Sequence, residues 1–296
     1  MAKDKKITVG AINVTIQPHT PERYIQLFKS ASRVKKPVKI HGDQFGLLAG
    51  ARNLTTNQEK TGPITGDVYK FTNIDFNNNW FNIETNNFAS EEELEDVSLP
   101  ENLKPNSSRF SYIFFPKNHI LIYEGYYDGK SLTPTNAVRF FENILNREDL
   151  VKEFGKVEIT HEPEKNALEE ALKMKYLERL KLTIRRPNPD DLAEVEKDVL
   201  ARMNTLKVEE QELSYKSSGT SIEIDKQLEL IAKVAARNGE VYAKGKNIEK
   251  RPIEFSTKRH PLIETDYYDP DIETPFSVFA RMAESMKNNI TRLLNR

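Results

Sequence analysis

The sequence has 296 residues, 38% of them hydrophobic and 30% charged, a composition that allows a substantial core and excludes wholesale disorder. It contains no cysteine, which excludes disulfides, thiolate metal sites and cysteine nucleophiles and favours a reducing, cytoplasmic location. The formal net charge is −1, so the chain as a whole is not drawn to nucleic acid, although separate segments can still differ in charge.

Neither a signal sequence nor a membrane span is expected. No stretch approaches the roughly 20 consecutive apolar residues that a membrane-spanning helix needs. The N-terminus has charged residues followed by an alternating stretch, which is typical of a first strand and not of a signal peptide. We therefore expect no partner in the membrane.

Charge is distributed unevenly along the chain. Residues 1–60 hold eleven Lys/Arg against four Asp/Glu, a balance of +7, whereas residues 84–101 hold seven acids and no base. The acidic run could be a docking surface, but an exposed helix face with an acidic first turn explains it more simply.

Four helix starts carry the same signal, a capping side chain followed by proline at the first helical position. They are Thr20-Pro21, Thr133-Pro134, Asn188-Pro189 and Thr274-Pro275. Two of them precede apolar residues at helical spacing, which indicate a core face or a dimer seam. These are Ala137, Phe140, Phe141, Ile144 and Leu145 after Thr133, and Phe276, Phe279, Met282, Met286, Ile290 and Leu293 after Thr274.

Strand patterns fill the first half of the chain, with predicted strands at 7–16, 63–72, 109–115 and 119–124 and an Asn-rich loop at 73–90. From residue 157 strands and helices alternate, and a helix at 225–238 precedes three short strands and the final helix. We predict an α+β fold with mixed or antiparallel sheets packed against helices, divided into an N-terminal domain (1–150) and a C-terminal domain (151–296) that ends in a long helix.

No residue pattern predicts catalysis, a metal or a cofactor. The five histidines are scattered singly, and His161 and Glu162, as neighbours on a strand, would point to opposite faces. Neither a nucleophile turn nor a phosphate-binding glycine loop occurs. Glu223, Asp225 and Lys226 could belong to a metal-dependent nuclease, but Asp225 is explained by capping the helix that follows.

A basic stretch at 237–260 is the strongest candidate for a binding site, with seven Lys/Arg against three Glu. If residues 241–247 and 251–257 form a hairpin, its cations could contact phosphates without reading sequence. The alternative is an edge ribbon whose lysines only discourage aggregation. The predicted nucleic-acid-binding residues are Lys244, Lys246, Lys250, Arg251, Lys258 and Arg259, with Arg185, Arg186, Arg33, Lys35, Lys36 and Lys39 as secondary candidates.

The chain resembles an uncharacterised bacterial family known only as a domain of unknown function. The resemblance rests on RFSYIFFPKNHILIYEGYYDGKSLTPTNAVRFFENIL at 109–145, RRPNPDDL at 185–192 and KVAARNGEVYAKG at 233–245. It implies a cytoplasmic protein from mobile or defence-associated regions and transfers no catalytic residue.

A more distant similarity, to the phage exclusion protein RexA and the Kiwa protein KwaB, lies in the order of hairpin, capped helix and strand–helix–strand unit. It implies a homodimeric, non-enzymatic protein that binds double-stranded DNA without sequence preference in defence against phage, with self-association through the C-terminal helix. Two alternatives stay open. One is a sensor or antitoxin-like partner that uses residues 84–101 and the Asn-rich loop to recognise a phage or host protein, and a protein from a neighbouring gene is a further candidate partner. The other is a cryptic metal-dependent nuclease.

Overall fold

The computed structural model of the protein describes residues 4–54, 60–75, 78–95, 97, 100–164, 166–187 and 193–294. This part of the chain contains helices, strands and one short 3₁₀ turn at Thr257–Arg259. In chain order they are β1 (Lys5–Thr15), α1 (Pro21–Arg33), β2 (Val38–His41), β3 (Gln44–Asn53), β4 (Ile64–Thr72), β5 (Phe81–Asn82), β6 (Asn87–Phe88), α2 (Glu91–Leu94), β7 (Ser108–Phe115), β8 (Ile120–Tyr127), β9 (Lys130–Ser131), α3 (Pro134–Leu145), α4 (Glu148–Phe154), β10 (Glu158–His161), α5 (Ala167–Leu172), β11 (Tyr176–Arg185), α6 (Ala193–Leu206), β12 (Glu210–Lys216), α7 (Lys226–Asn238), β13 (Gly239–Lys246), β14 (Pro252–Ser256), β15 (Ile263–Tyr268) and α8 (Pro275–Leu294).

The predicted α+β class is confirmed, and each strand pair in the described part of the chain is antiparallel. Threonine caps begin three of the predicted helices: the hydroxyls of Thr20, Thr133 and Thr274 accept backbone N–H bonds from the residue three positions later. The fourth predicted start, Asn188-Pro189, lies outside the described residues. No helix among the described residues has both the length and the apolar character to span a membrane.

A large sheet forms the centre of the molecule, with strand order β10-β1-β8-β7-β4-β3-β2 and with β15 beside β1 and β9 beside β8. Strand residues alternate between two cores, one on each face. Helices α1, α3 and α4 contribute to the first core, and α8 covers the opposite face with Phe279, Met282 and Met286. The apolar stripe of α8 therefore belongs to the core of its own chain.

A smaller four-stranded sheet has the order β12-β11-β13-β14 and a core of its own. Residues of α5 and α7 cover its inner face, where Leu180, Leu182 and Ile184 of β11 are buried. Its other face carries the polar residues of the alternating pattern, such as Lys181 and Lys244. Of the predicted DNA-binding residues, this polar face carries Arg185, Lys244 and Lys246.

The chain after residue 150 contributes elements to both layers. The elements β10, β15 and α8 follow residue 150 in sequence, yet they join the large sheet or pack on it. The proposed division into residues 1–150 and 151–296 stays a prediction.

Between the two layers lies a buried polar seam. The Arg237 guanidinium donates to Glu162 Oε1 at 2.9 Å, and both side chains are almost wholly buried. Asn13 of β1 donates to the Arg237 carbonyl and to Asn238, which in turn donates to Glu196 of α6. Buried charges need such partners, so this seam fixes how the small layer sits on the large sheet.

Candidate nucleic-acid interface

Five exposed cations cluster where α1 leads into β2, and we call them the α1–β2 basic segment. Helix α1 buries Tyr24, Leu27 and Phe28 on the large sheet, which leaves its opposite side to solvent. Lys29 and Arg33 lie on that solvent side, four residues apart and therefore one turn apart. The full set is Lys29, Arg33, Lys35, Lys36 and Lys39.

No carboxylate neutralises this segment in the described structure. Residues 23–42 contain six Lys/Arg and no Asp or Glu. None of the five cations of the segment forms an ion pair with any residue that the structure describes. Their charges are therefore available to a ligand.

The backbone beneath these cations is held by α3. Asn143 Nδ2 donates to the Lys39 carbonyl at 2.8 Å, and Arg139 Nη1 donates to the Ile40 carbonyl at 3.0 Å. Strand β2 is the last strand in the order of the large sheet, so these bonds satisfy edge groups that no further strand meets. Arg139 is itself exposed and adds a cation next to Lys39.

The predicted hairpin exists, as β13 paired with β14, but most of its cations are paired with carboxylates. Lys244 lies opposite Glu254 in the register, with Nζ 2.7 Å from Oε1. This contact raises the pKa of Lys244 and lowers that of Glu254. Three more predicted cations of the basic stretch form ion pairs: Lys246 with Glu178 (2.6 Å), Arg251 with Glu249 (3.2 Å) and Lys258 with Glu240 (2.8 Å).

Arg185 is the last residue of β11 and Arg186 follows it, and their side chains have different surroundings. Arg185 pairs with Glu210 at 3.2 Å and with Glu158 at 3.7 Å. Arg186 lines a cleft of about 190 Å³ between the layers, with Lys156 and Glu209 on its walls. Within the described residues, the buried Nε of Arg186 has no hydrogen-bond partner.

The twelve predicted cations therefore do not form one uninterrupted surface. Strand β2 stands six strands from β10, on which the small layer packs, or about 29 Å along the sheet at roughly 4.8 Å per strand. In the hairpin region only Lys250 and Arg259 have no ion pair among the described residues. Arg237, part of the same basic stretch, lies in the buried seam.

The five histidines have different surroundings: His119 is buried, His19 and His161 are half-buried, and His41 and His260 are exposed. Burial lowers the pKa of His161 to about 4 and that of His119 to about 2, with a further contribution from His19, whose ring centroid is 4.1 Å from that of His119. The neighbouring Glu162 is held by Arg237. Adjacent strand positions separate His161 and Glu162, as the alternation of a strand requires.

One of the three residues considered for a metal-dependent nuclease has a structural role. The Asp225 carboxylate accepts the Leu228 N–H at 2.7 Å and so caps α7. Among the described residues, no group of three or more His, Asp or Glu side chains is placed to hold a metal ion.

A ribbon of two short strands, β5 and β6, occupies the Asn-rich segment and leads into the acidic helix α2. Ser90 and Glu93 form a reciprocal capping box at the start of α2, the chemistry expected of an acidic first turn. Sequence reasoning missed that Phe81 and Phe88 of the ribbon are paired across the strands and largely exposed. The signal that the sequence offered was the position of aromatic residues next to turn-forming asparagines.

A model of one protein family, described as Domain of unknown function (DUF4747), matches residues 5–284. The match confirms the coarser part of the predicted resemblance, an uncharacterised domain family. A search among curated proteins found no significant match.

Proposed function

Because the chain belongs to the DUF4747 family, whose description names no activity, we propose a function from the geometry: binding of the duplex DNA backbone through the α1–β2 basic segment. The observation that carries this proposal is the run of exposed cations at residues 29–39, which has no carboxylate partner in the described structure. A free cation gains a phosphate contact without first breaking an ion pair.

The chemistry favours sequence-independent binding. Phosphate contacts position a protein on DNA without reading bases, and they release the counterions condensed on the duplex. Lysine supplies four of the five cations, and its flexible stem adapts to different backbone positions. The exposed cations of this segment are not interleaved with aromatic side chains, which single-strand binders use for stacking.

The biological setting is the second part of the proposal. The resemblance to RexA and KwaB that the order of hairpin, capped helix and strand–helix–strand unit predicts is the ground for proposing a role in defence against phage, exerted by a homodimer on DNA. The stripe of α8 that could have formed a dimer seam is used within the chain, so self-association would need another surface.

Fluorescence anisotropy with two duplexes of unrelated sequence tests DNA binding. Five phosphate contacts predict that log K falls with log salt with a slope of about −4.5, so affinity drops about 500-fold between 50 and 200 mM salt. Both duplexes are expected to give the same slope and affinity. No binding at 50 mM salt, or binding that salt does not weaken, would contradict the proposal.

A plating assay tests the defence role separately. Cells that produce the protein are expected to lower phage plating efficiency, and Lys35→Glu with Lys36→Glu is expected to abolish that effect. Protection that persists in a variant without DNA binding would separate defence from the basic segment.

One observation favours a second candidate function, a protein-docking surface in the acidic part of the chain. Apolar side chains of the β5–β6 ribbon are exposed next to the acidic residues of 84–101. A soluble surface rarely exposes such a group of large apolar residues without a partner.

A further inference from the structure

The ribbon of β5 and β6 exposes an unusual amount of apolar surface. Phe81 is 58% exposed, Ile83 85% and Phe88 69%. Phe81 and Phe88 are directly opposite each other in the register, so their rings lie on the same face. Within the described residues the two strands pair only with each other, as a sheet of their own. We call residues 81–88 the aromatic ribbon.

The sequence on both sides of the aromatic ribbon is acidic. Residues 71–103 contain eight Asp/Glu and no Lys or Arg. Asn82 donates to the Glu93 carboxylate at 2.5 Å, which ties the ribbon to the acidic helix α2. Glu84 and Glu95 are exposed, and neither forms an ion pair with a described residue. The occupant of this surface should therefore combine apolar and basic groups.

Such a surface exists on the same chain, at the turn between β13 and β14. Ile248 is 77% exposed and Ile253 39%, and Lys250 and Arg251 lie between them. Lys250 has no ion pair with any described residue, while the Arg251 side chain is 78% exposed and pairs with Glu249 on its own turn. We call residues 247–253 the hairpin tip.

We propose that the aromatic ribbon of one copy docks on the hairpin tip of a second copy. The contact would place apolar side chains at its centre and opposite charges around them, the usual arrangement of a protein interface. Ribbon against ribbon would oppose two acidic surfaces, and tip against tip two basic ones, so the ribbon–tip contact is the favoured pairing. In a two-fold dimer this contact occurs twice.

The proposal does not rest on DNA binding. The α1–β2 basic segment belongs to neither docking surface, so the two properties can be lost independently. It also gives Lys250, one of the predicted site residues, a role other than phosphate contact.

Sedimentation velocity of the full chain measures self-association. Concentrations from about 5 to 200 µM, at 50 and 500 mM salt, cover the weak affinities typical of small interfaces. A sedimenting species larger than the 34.1 kDa monomer is expected, and it should weaken at high salt. A monomer throughout the concentration range at low salt would overturn the proposal.

Three double variants locate the contact. Phe81→Ser with Phe88→Ser removes the apolar centre. Glu84→Lys with Glu95→Lys replaces two unpaired carboxylates at and beside the ribbon by cations, and Lys250→Glu with Arg251→Glu reverses the charge of the tip. Each is expected to weaken self-association at least tenfold. The sites are exposed and avoid the α2 capping box, and circular dichroism checks that each variant is folded.

Mixing the two charge-reversed variants gives the sharpest result. In the mixed dimer both contacts join opposite charges, because the changed ribbon meets the changed tip and the unchanged ribbon meets the unchanged tip. The mixture is therefore expected to regain an assembly that neither variant forms alone. Ile272→Ser with Glu170→Lys, at an exposed isoleucine and glutamate elsewhere, is the matched control and should assemble as the wild type does. Assembly that survives all three double variants, or a mixture that stays monomeric, would overturn the proposal.

The readouts of the two proposals remain distinct. The ribbon variant Phe81→Ser with Phe88→Ser should keep the DNA affinity of the wild-type monomer, measured well below the association range. The variant Lys35→Ala with Lys36→Ala should lose DNA affinity and should self-associate as the wild type does.

Discussion

The α1–β2 basic segment and the β13–β14 hairpin are both rich in lysine and arginine, yet they differ in what surrounds their charges. The hairpin places Glu254 directly across from Lys244, and the adjacent strand β11 brings Glu178 to Lys246. The α1–β2 segment lies on a helix, a connection and an edge strand with no acid from residue 23 to 42. The difference teaches that the cation content of a segment does not measure its available charge, because a sheet supplies carboxylates from neighbouring strands.

Removing matched pairs of cations from the two regions should give the largest difference. Lys35→Ala with Lys36→Ala is expected to lower DNA affinity about 50-fold at 100 mM salt, because each lost contact forfeits close to one released counterion. Lys244→Ala with Lys246→Ala changes the net charge equally but removes cations that are already paired, so less than about a threefold loss is expected. Fluorescence anisotropy measures both, and equal losses would mean that only total charge matters.

Removing the acidic partners of the hairpin's lysines should reduce the difference between the two regions in their contribution to DNA affinity. Glu178→Gln with Glu254→Gln leaves Lys246 and Lys244 without partners, and DNA affinity is expected to rise about threefold to tenfold. Glu170→Gln with Glu223→Gln removes the same charge from exposed sites elsewhere and serves as the control. If the first variant gains no more than the control, the hairpin's position and not its ion pairs keeps it from DNA.

The two regions should also differ in how their polar contacts contribute to stability. Asn143→Ala removes the hydrogen bond to the Lys39 carbonyl under the basic segment, at an expected cost of about 1 kcal/mol in the free energy of unfolding. Lys244→Ala breaks an exposed ion pair that solvent screens, so its cost is expected to be smaller than that of Asn143→Ala. Urea unfolding followed by circular dichroism compares them, and a larger cost for Lys244→Ala would reverse this ranking.

The smallest effect concerns pH. Lys244 lowers the pKa of Glu254, so this carboxylate stays ionised as the pH falls from 8 to 5 and the hairpin pair persists. The ratio of wild-type DNA affinity to that of Lys244→Ala with Lys246→Ala is therefore expected to change less than about twofold over this range. A ratio that grows steadily toward pH 5 would indicate that the hairpin carboxylates take up protons and release their lysines.

Local chemistry was sufficient to predict much of the fold. The threonine–proline starts of α1, α3 and α8 need only a side-chain acceptor and a residue with fixed φ, so two neighbouring residues specify each. Runs of β-branched and aromatic residues likewise located β4, β7 and β8, and the hairpin of β13 and β14 formed where turn and strand signals met. The sequence also determined how many charges each segment carries.

Only the tertiary structure decided which of those charges remain free and which apolar stripes are covered. Glu178 meets Lys246 from 68 positions away because β11 and β13 are neighbours in the small sheet. The stripe of α8, equally suited to a dimer seam, packs on the large sheet of its own chain. Ion pairs and core contacts join residues distant in sequence, so a local pattern specifies the groups that need partners, while the arrangement of strands and helices selects the partners they obtain.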